Sequence, residues 1–216
     1  TGASRGIGKA IAVKFAKKGY NVIINCAHRE QELMQTKKEI ESYQVTCSAF
    51  LGDMGDMSVC EQMFSMIRKQ FGSLDVLVNN AGIDYIGLLQ DMSSEDWDRI
   101  LRTNLTSVFN CCKLAIPLML PAGHGKIVNI SSVWGCVGAS CEVANSTTKG
   151  GINAFTKALA KELAPSNIQV NAVACGAIDT EMNQWMEEDE LIQLVEEIPA
   201  GRLGRAEEVA DFVYHL

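Results

Sequence analysis

Five short apolar runs, at 21–25, 45–50, 76–79, 126–130 and 169–174, are continuous rather than alternating. Strands of that kind are covered on both faces, as in a parallel sheet flanked by helices. The stretches between them carry helical spacing. Ile7, Ile11 and Phe15 fall at i, i+4 and i+8, with Gly19 as a C-terminal stop. Residues 62–71 end at Gly72, Ser93 or Ser94 can cap a helix running through Trp97, and 141–164 reads as one long helix that Pro165 ends. The alternation predicts an α/β fold: a doubly wound parallel sheet in three layers, αβα.

The 216 residues are 47% hydrophobic, which suits one domain over 1–216, and no Pro/Ser/Gly-rich linker divides them. A net charge of −7 argues against nucleic-acid and anionic-membrane partners. No apolar run approaches the ~20 residues that span a bilayer, and the first residues lack a signal-peptide pattern. Cysteines stand at 26, 47, 60, 111, 112, 136, 141 and 175 with no CxxC pair and only three histidines, so no metal site is expected. Reduced thiols in a cytoplasm are the simplest reading.

The first eight residues, Thr1-Gly2-Ala3-Ser4-Arg5-Gly6-Ile7-Gly8, space their glycines G-x3-G-x-G. Gly2 permits a tight turn, while Gly6 and Gly8 allow close backbone approach to a pyrophosphate and close packing of the following helix. The helix N-terminus offers free N–H groups and the positive end of its dipole to phosphate. Such a turn should follow a strand, and the pattern at 207–216 stops without a cap. The expectation is therefore a piece of a longer protein whose first and last strands lie outside these residues, poorly stable by itself. About 20 residues beyond the turn, where a carboxylate would bind the ribose 2′-hydroxyl of NAD, the chain reads Asn25-Cys26-Ala27-His28-Arg29. Arg5, His28 and Arg29 can instead bind a 2′-phosphate, which favours NADPH/NADP over NADH.

Three further segments complete a pattern: Asn79-Asn80-Ala81-Gly82, Asn129-Ile130-Ser131-Ser132, and Lys149 early in the long helix. With the glycine turn, the chain resembles the classical short-chain dehydrogenases/reductases, which have a Rossmann-like fold. Within that family it is most similar to the bacterial 3-oxoacyl-[acyl-carrier-protein] reductases of fatty acid synthesis. The resemblance implies that Asp53 and Met54 hold the adenine end and that Asn80, Ala81 and Gly82 line the cofactor. It also implies that Gly176, Ile178 and Thr180, in Cys175-Gly176-Ala177-Ile178-Asp179-Thr180, contact the nicotinamide, with Cys175 in place of the usual proline. Ser132 would hold the substrate oxygen, Lys149 the nicotinamide ribose, and Asn104 a water in a proton relay.

The family's YxxxK motif places a tyrosine four residues before Lys149, and here that residue is Asn145. An amide has no proton to exchange near neutral pH, so low activity is expected on an otherwise preserved reductase. The alternatives are a reductase of a free small ketone or sugar-derived alcohol, and a non-catalytic NADP-binding partner subunit. Residues 179–198 should form a helical lid whose Met182, Trp185, Met186, Leu191, Ile192 and Leu194 suit either an acyl chain or ordinary packing. Its carboxylates Glu187, Glu188, Asp189, Glu190, Glu196 and Glu197 sit awkwardly with an acidic carrier protein, for which Lys126, Arg202 and Arg205 are the basic candidates. By resemblance, helices over 114–120 and 152–163 would pack between the subunits of a homotetramer.

Overall fold

The apolar runs fold into strands that are all paired in parallel. In the computed structural model, which describes residues 1–183 and 187–216, the elements are α1 (Gly6–Lys17), β1 (Val22–Cys26), α2 (Glu30–Glu41), β2 (Cys47–Leu51), α3 (Met57–Phe71), β3 (Val76–Asn79), α4 (Ser94–Leu101), α5 (Ser107–Met119), β4 (Gly125–Ser132), α6 (Trp134–Val137), α7 (Val143–Leu163), β5 (Ile168–Cys175), β6 (Ile178–Asp179), α8 (Glu188–Glu197), β7 (Gly204–Arg205) and α9 (Ala206–His215). Strand β1 pairs with β2, β4 lies between β3 and β5, and β6 pairs with β7. The register sets Val76 opposite Lys126 and Gly125 opposite Ile168.

Successive residues of β4 show why its apolar run does not alternate. Ile127 joins a core built with α3, α5 and α7, whereas Val128 and Ile130 face a second core built with α1 and α9. Both faces of the strand are therefore buried, which gives the three layers. A third cluster seats α1 and α2 against Ile24 of β1. Each such side chain, fully buried, stabilises the fold by roughly 1.5–3 kcal/mol.

Among the described residues the four parallel pairings, β1–β2, β3–β4, β4–β5 and β6–β7, fall into three sheets. Between the facing edges of β1 and β3 lies a cavity of about 490 Å3, lined by Ala12, Phe15, Ile23, Phe64, Ile67 and Val76 among others. At its carboxyl end the glycine turn bridges the two edges: Ala3 N donates to Asn25 O (2.8 Å) and Thr1 N to Val78 O (2.9 Å).

Helix limits follow local chemistry. Gly19 and Gly72 end α1 and α3 at φ +85° and +77°. Helix α3 starts five residues earlier than the apolar spacing predicts, because the Asp56 side chain caps it by accepting from Ser58 N and Val59 N. Helix α7 begins at Val143 rather than 141, since Cys141 has a left-handed φ of 61°. Ser93 caps α4, and a π-helical turn, Arg102–Thr106, joins α4 to α5. The continuous helical stretch Ser94–Ala122 is long and apolar enough to cross a bilayer, contrary to the count of uninterrupted apolar residues. Cys111, Cys112, Ala115 and Met119 from this stretch are buried in the core.

A polar chain ties the sheet to α7. Asn79 Nδ2 donates to Asn129 Oδ1 (2.8 Å), and Asn129 Nδ2 donates to Thr156 Oγ1 (2.9 Å). Replacing Asn129 by alanine takes the donor from buried Thr156 Oγ1 and leaves Asn79 Nδ2 with only the sulfur of Cys112, at 3.3 Å. Chemical denaturation should show a loss of about 2 kcal/mol, within the 1–3 kcal/mol range for orphaned buried groups; an unchanged midpoint would contradict that.

Candidate active site

The glycine turn is held by β3 and the residues after it. Asn80 Nδ2 donates to Thr1 O and Gly2 O (3.1 Å each), and Asn80 N and Ala81 N donate to Thr1 Oγ1 (3.0 Å each). Gly2 and Gly6 have φ of +62° and +53°. A Cβ on Gly2 would lie 2.8 Å from Ala81 Cα, and one on Gly8 would overlap Gly2 O and Asn80 Nδ2. Gly8 and Ala3 are buried supports, whereas Gly2, Ser4, Arg5, Gly6 and Ile7 line an open groove of about 270 Å3. The first N–H groups of α1 lie along it with no acidic side chain in that turn, an arrangement that fits a pyrophosphate.

His28, Arg29, Asp53, Met54, Asn80, Ala81, Gly82 and Thr180 line the same groove. Arg5 forms an ion pair with Glu181, which also lies 3.5 Å from Arg29, and Arg29 pairs with Glu32 at 2.8 Å. Both arginines thus face the groove already paired with carboxylates. Glu181 lies 176 residues from Arg5, and no spacing in the sequence points to that contact. Asp53 accepts from Gly55 N (2.8 Å) and lies 3.2 Å from Arg102. Met54 is 2% exposed, and its carbonyl accepts from Asn110 Nδ2 (2.9 Å). It therefore borders the groove chiefly through its remaining backbone.

Gly82 joins the groove to a second cluster. A Cβ there would lie 3.5 Å from Asn104 Oδ1 and 3.7 Å from Lys149 Nζ. Lys149 Nζ donates to Ile130 O (3.0 Å), and burial pushes its pKa down against the raising influence of Cys175 and Asp84. Ser132, at the end of β4, accepts from Trp134 N (3.2 Å). Asn104 sits fully buried in the π-helical turn. Its Oδ1 accepts from Ile83 N (2.8 Å) and its Nδ2 donates to Ile83 O (2.9 Å), so its side chain pins the loop after Gly82. Asn145, on the first turn of α7, donates from Nδ2 to Glu142 Oε2 (2.8 Å).

Beyond β5, Gly176 has open space around its Cα, and Thr180 lies against Gly6, where a Cβ would meet Thr180 Cγ2 at 3.5 Å. Ile178 instead packs on the cluster shared by α1 and α9. Of the expected lid, Met182 lines the groove and is exposed, and α8 buries no residue. Trp185 and Met186 lie outside the described residues. The sequence reading missed Glu181, Asp84, Glu142 and Trp134, along with Thr103 and Ser107 on the groove wall. Their recruitment depends on long-range packing.

A glycine turn on a doubly wound sheet, with Ser132 at the carboxyl end of β4 and the Lys149 amine bonded to Ile130 O of the same strand, defines a dinucleotide-dependent oxidoreductase. The profile of the short chain dehydrogenase family matches residues 1–191, and the chain belongs to that family. It is 41% identical to the 3-oxoacyl-[acyl-carrier-protein] reductase FabG of Staphylococcus aureus strain Mu50, over all of this chain's 216 residues and 88% of that protein. It is 39% identical to FabG of Staphylococcus epidermidis, again over the whole chain and 88% of the relative. For FabG of Thermotoga maritima the figures are 38% identity, the whole chain and 87% of the relative. The chain is accordingly an NAD(P)-dependent oxidoreductase acting on CH–OH groups.

Proposed function

We propose that this chain is an NADPH-dependent reductase of 3-oxoacyl groups carried as thioesters on acyl carrier protein, slowed by Asn145. The convergence of Lys149 Nζ and Asn104 Oδ1 on Gly82, which borders the groove floored by the glycine turn, carries this reading, with Ser132 at the end of the strand whose Ile130 O receives Lys149. The relatives named above supply the substrate class.

In this proposal the α1 N-terminus and the backbone of Gly2–Gly8 hold the pyrophosphate, and Arg5, His28 and Arg29 receive the 2′-phosphate. Asp53 and Met54 border the adenine. Ala81, Gly82, Gly176 and Thr180 enclose the nicotinamide, with Ile178 a packed support beneath that segment, and Lys149 binds its ribose. The bound cofactor supplies a hydride. Ser132 donates a hydrogen bond to the substrate oxygen, where negative charge develops, and Asn104 fixes the loop that shapes the relay. A cytoplasmic homotetramer is the expected assembly, and Phe109, at 47% exposure on α5, is an apolar side chain that such packing would cover.

Glu181 competes with a 2′-phosphate for Arg5 and Arg29. Each exposed ion pair is worth ~1 kcal/mol at most, so Glu181→Gln should tighten NADPH about fivefold, since 1.4 kcal/mol is tenfold, and leave NADH unchanged. Parallel fluorescence titrations with both nucleotides check this; equal changes for the two would remove the 2′-phosphate assignment.

The function itself is tested by assaying a panel of 3-oxoacyl thioesters and free ketones with NADPH and NADH, using both the chain as it stands and Asn145→Tyr. Thioester reduction by the tyrosine variant supports the reading. Reduction of free ketones alone favours the small-ketone alternative. Tight NADPH binding with no turnover by either protein favours a partner subunit.

A further inference from the structure

Asn145 stands where the family carries a tyrosine, and its amide reaches a carboxyl. Glu142 lies one turn before Asn145 and accepts from its Nδ2 at 2.8 Å. An amide nitrogen plus one hydrogen-bond length extends about as far from a helix backbone as a phenol oxygen does. The Trp134 side chain lies close enough to Glu142 to lower its pKa. Trp134 N donates to Ser132 Oγ (3.2 Å). The carboxyl is thus bonded to Asn145 and lies beside the segment that follows Ser132.

A second carboxylate adds its charge to this neighbourhood. Asp84 follows Gly82 and Ile83, close enough to influence both Glu142 and Lys149. The Asp84 loop is fastened to the segment before α7 by Gly87 N donating to Cys141 O (2.9 Å). The groups around Glu142 are therefore Asp84 from the loop, Lys149 of α7 beyond Asp84, and the neutral donors Asn145 and Trp134. Burial raises the pKa of Glu142 and of Asp84, and for Glu142 the neighbouring Asp84 raises it further. Two carboxyls in partly buried surroundings favour retention of a proton between them.

We propose that the Glu142 carboxyl donates the proton that Asn145 cannot supply. The inference rests on the reductase reading above. As hydride from NADPH forms the new C–H bond at the carbonyl carbon, the Glu142 O–H bond breaks and its proton joins the substrate oxygen held by Ser132. The carboxylate left behind takes a proton from water, and the nearby charge of Asp84 favours that return.

Two measurements test it. In the chain without cofactor, Trp134 emission should titrate with pH, with a midpoint above the ordinary carboxylate range. Glu142→Gln should abolish that transition, and Asp84→Asn should move it to lower pH by removing a neighbouring negative charge. In NADPH-dependent reduction of a 3-oxoacyl thioester, Glu142→Gln should cut the slow turnover at least ~10-fold with unchanged NADPH affinity, while Glu142→Asp keeps part of it. The rate should fall as pH rises through the Glu142 transition, because the protonated form is the donor. In Asn145→Tyr the rate should persist to higher pH, a phenol having an ordinary pKa of about 10. Unchanged turnover in Glu142→Gln, or an emission transition that survives the substitution, overturns the proposal. If Asn145→Tyr reduces thioesters while Glu142→Gln has no effect, the proton source alone is wrong. If neither the chain nor Asn145→Tyr reduces any carbonyl, the reductase reading fails and the proton source with it.

Discussion

Asn145→Tyr is expected to raise kcat/KM for NADPH-dependent carbonyl reduction at least ~10²-fold, the lower end of what a positioned general acid contributes. Asn145 is 9% exposed on the first turn of α7 and faces Glu142. A phenol there gains an exchangeable proton but must displace the Glu142 carboxyl, at the cost of one hydrogen bond. The nearby carboxyls of Glu142 and Asp84 raise a phenol's pKa, whereas the Lys149 ammonium lowers it. NADPH affinity should change little, because Asn145 does not border the groove over the glycine turn. Steady-state kinetics paired with cofactor titration make the comparison. A variant that binds both NADPH and substrate yet turns over no faster would show that tyrosine is not what this site lacks.

Gly8→Ala should have the largest effect on cofactor binding, weakening NADPH at least ~10²-fold, about 2.7 kcal/mol or more, and destabilising the fold by about 1–3 kcal/mol through overpacking. The added Cβ would run into Gly2 O and Asn80 Nδ2, and the first of these is backbone with no rotamer to escape through. The turn must then open, and the 3.1 Å bonds from Asn80 to Thr1 O and Gly2 O are lost. Gly19→Ala is the matched control. Gly19 has φ of +85° with nothing within 4 Å of an added Cβ, so the substitution should lower Tm and leave NADPH binding alone. Equal Kd values for Gly8→Ala and the unaltered chain would show that the groove is not where the dinucleotide lies.

The features visible in the sequence are those set by local pattern. Val76–Asn79 shows as a continuous apolar run because both its faces are buried, and Gly72 marks the end of α3 because only glycine adopts its φ of +77° cheaply. The placement of Asn80, Gly82, Asn104 and Lys149 around one junction follows from strand order, so their family spacing already implied it. Contacts between side chains remote in sequence were not visible. Glu181 on Arg5 and Asp84 near Glu142 are products of packing, and either acid reads in the sequence as one more solvated charge. The early start of α3 was missed for a narrower reason: the polar stretch after its Asp56 cap carries little apolar periodicity.

The π-helical turn at Arg102–Thr106 stores one residue more than an α turn needs. Deleting one of the five would let the segment close as an ordinary α turn, so α4 keeps its phase against α5 and Ile100 keeps its buried seat. The loss is local. Asn104 would be displaced from its double grip on Ile83, beside Gly82 and Lys149. A one-residue deletion here should therefore spare the fold and disturb the site, whereas the same deletion inside α4 or α5 would turn each following side chain by about 100°.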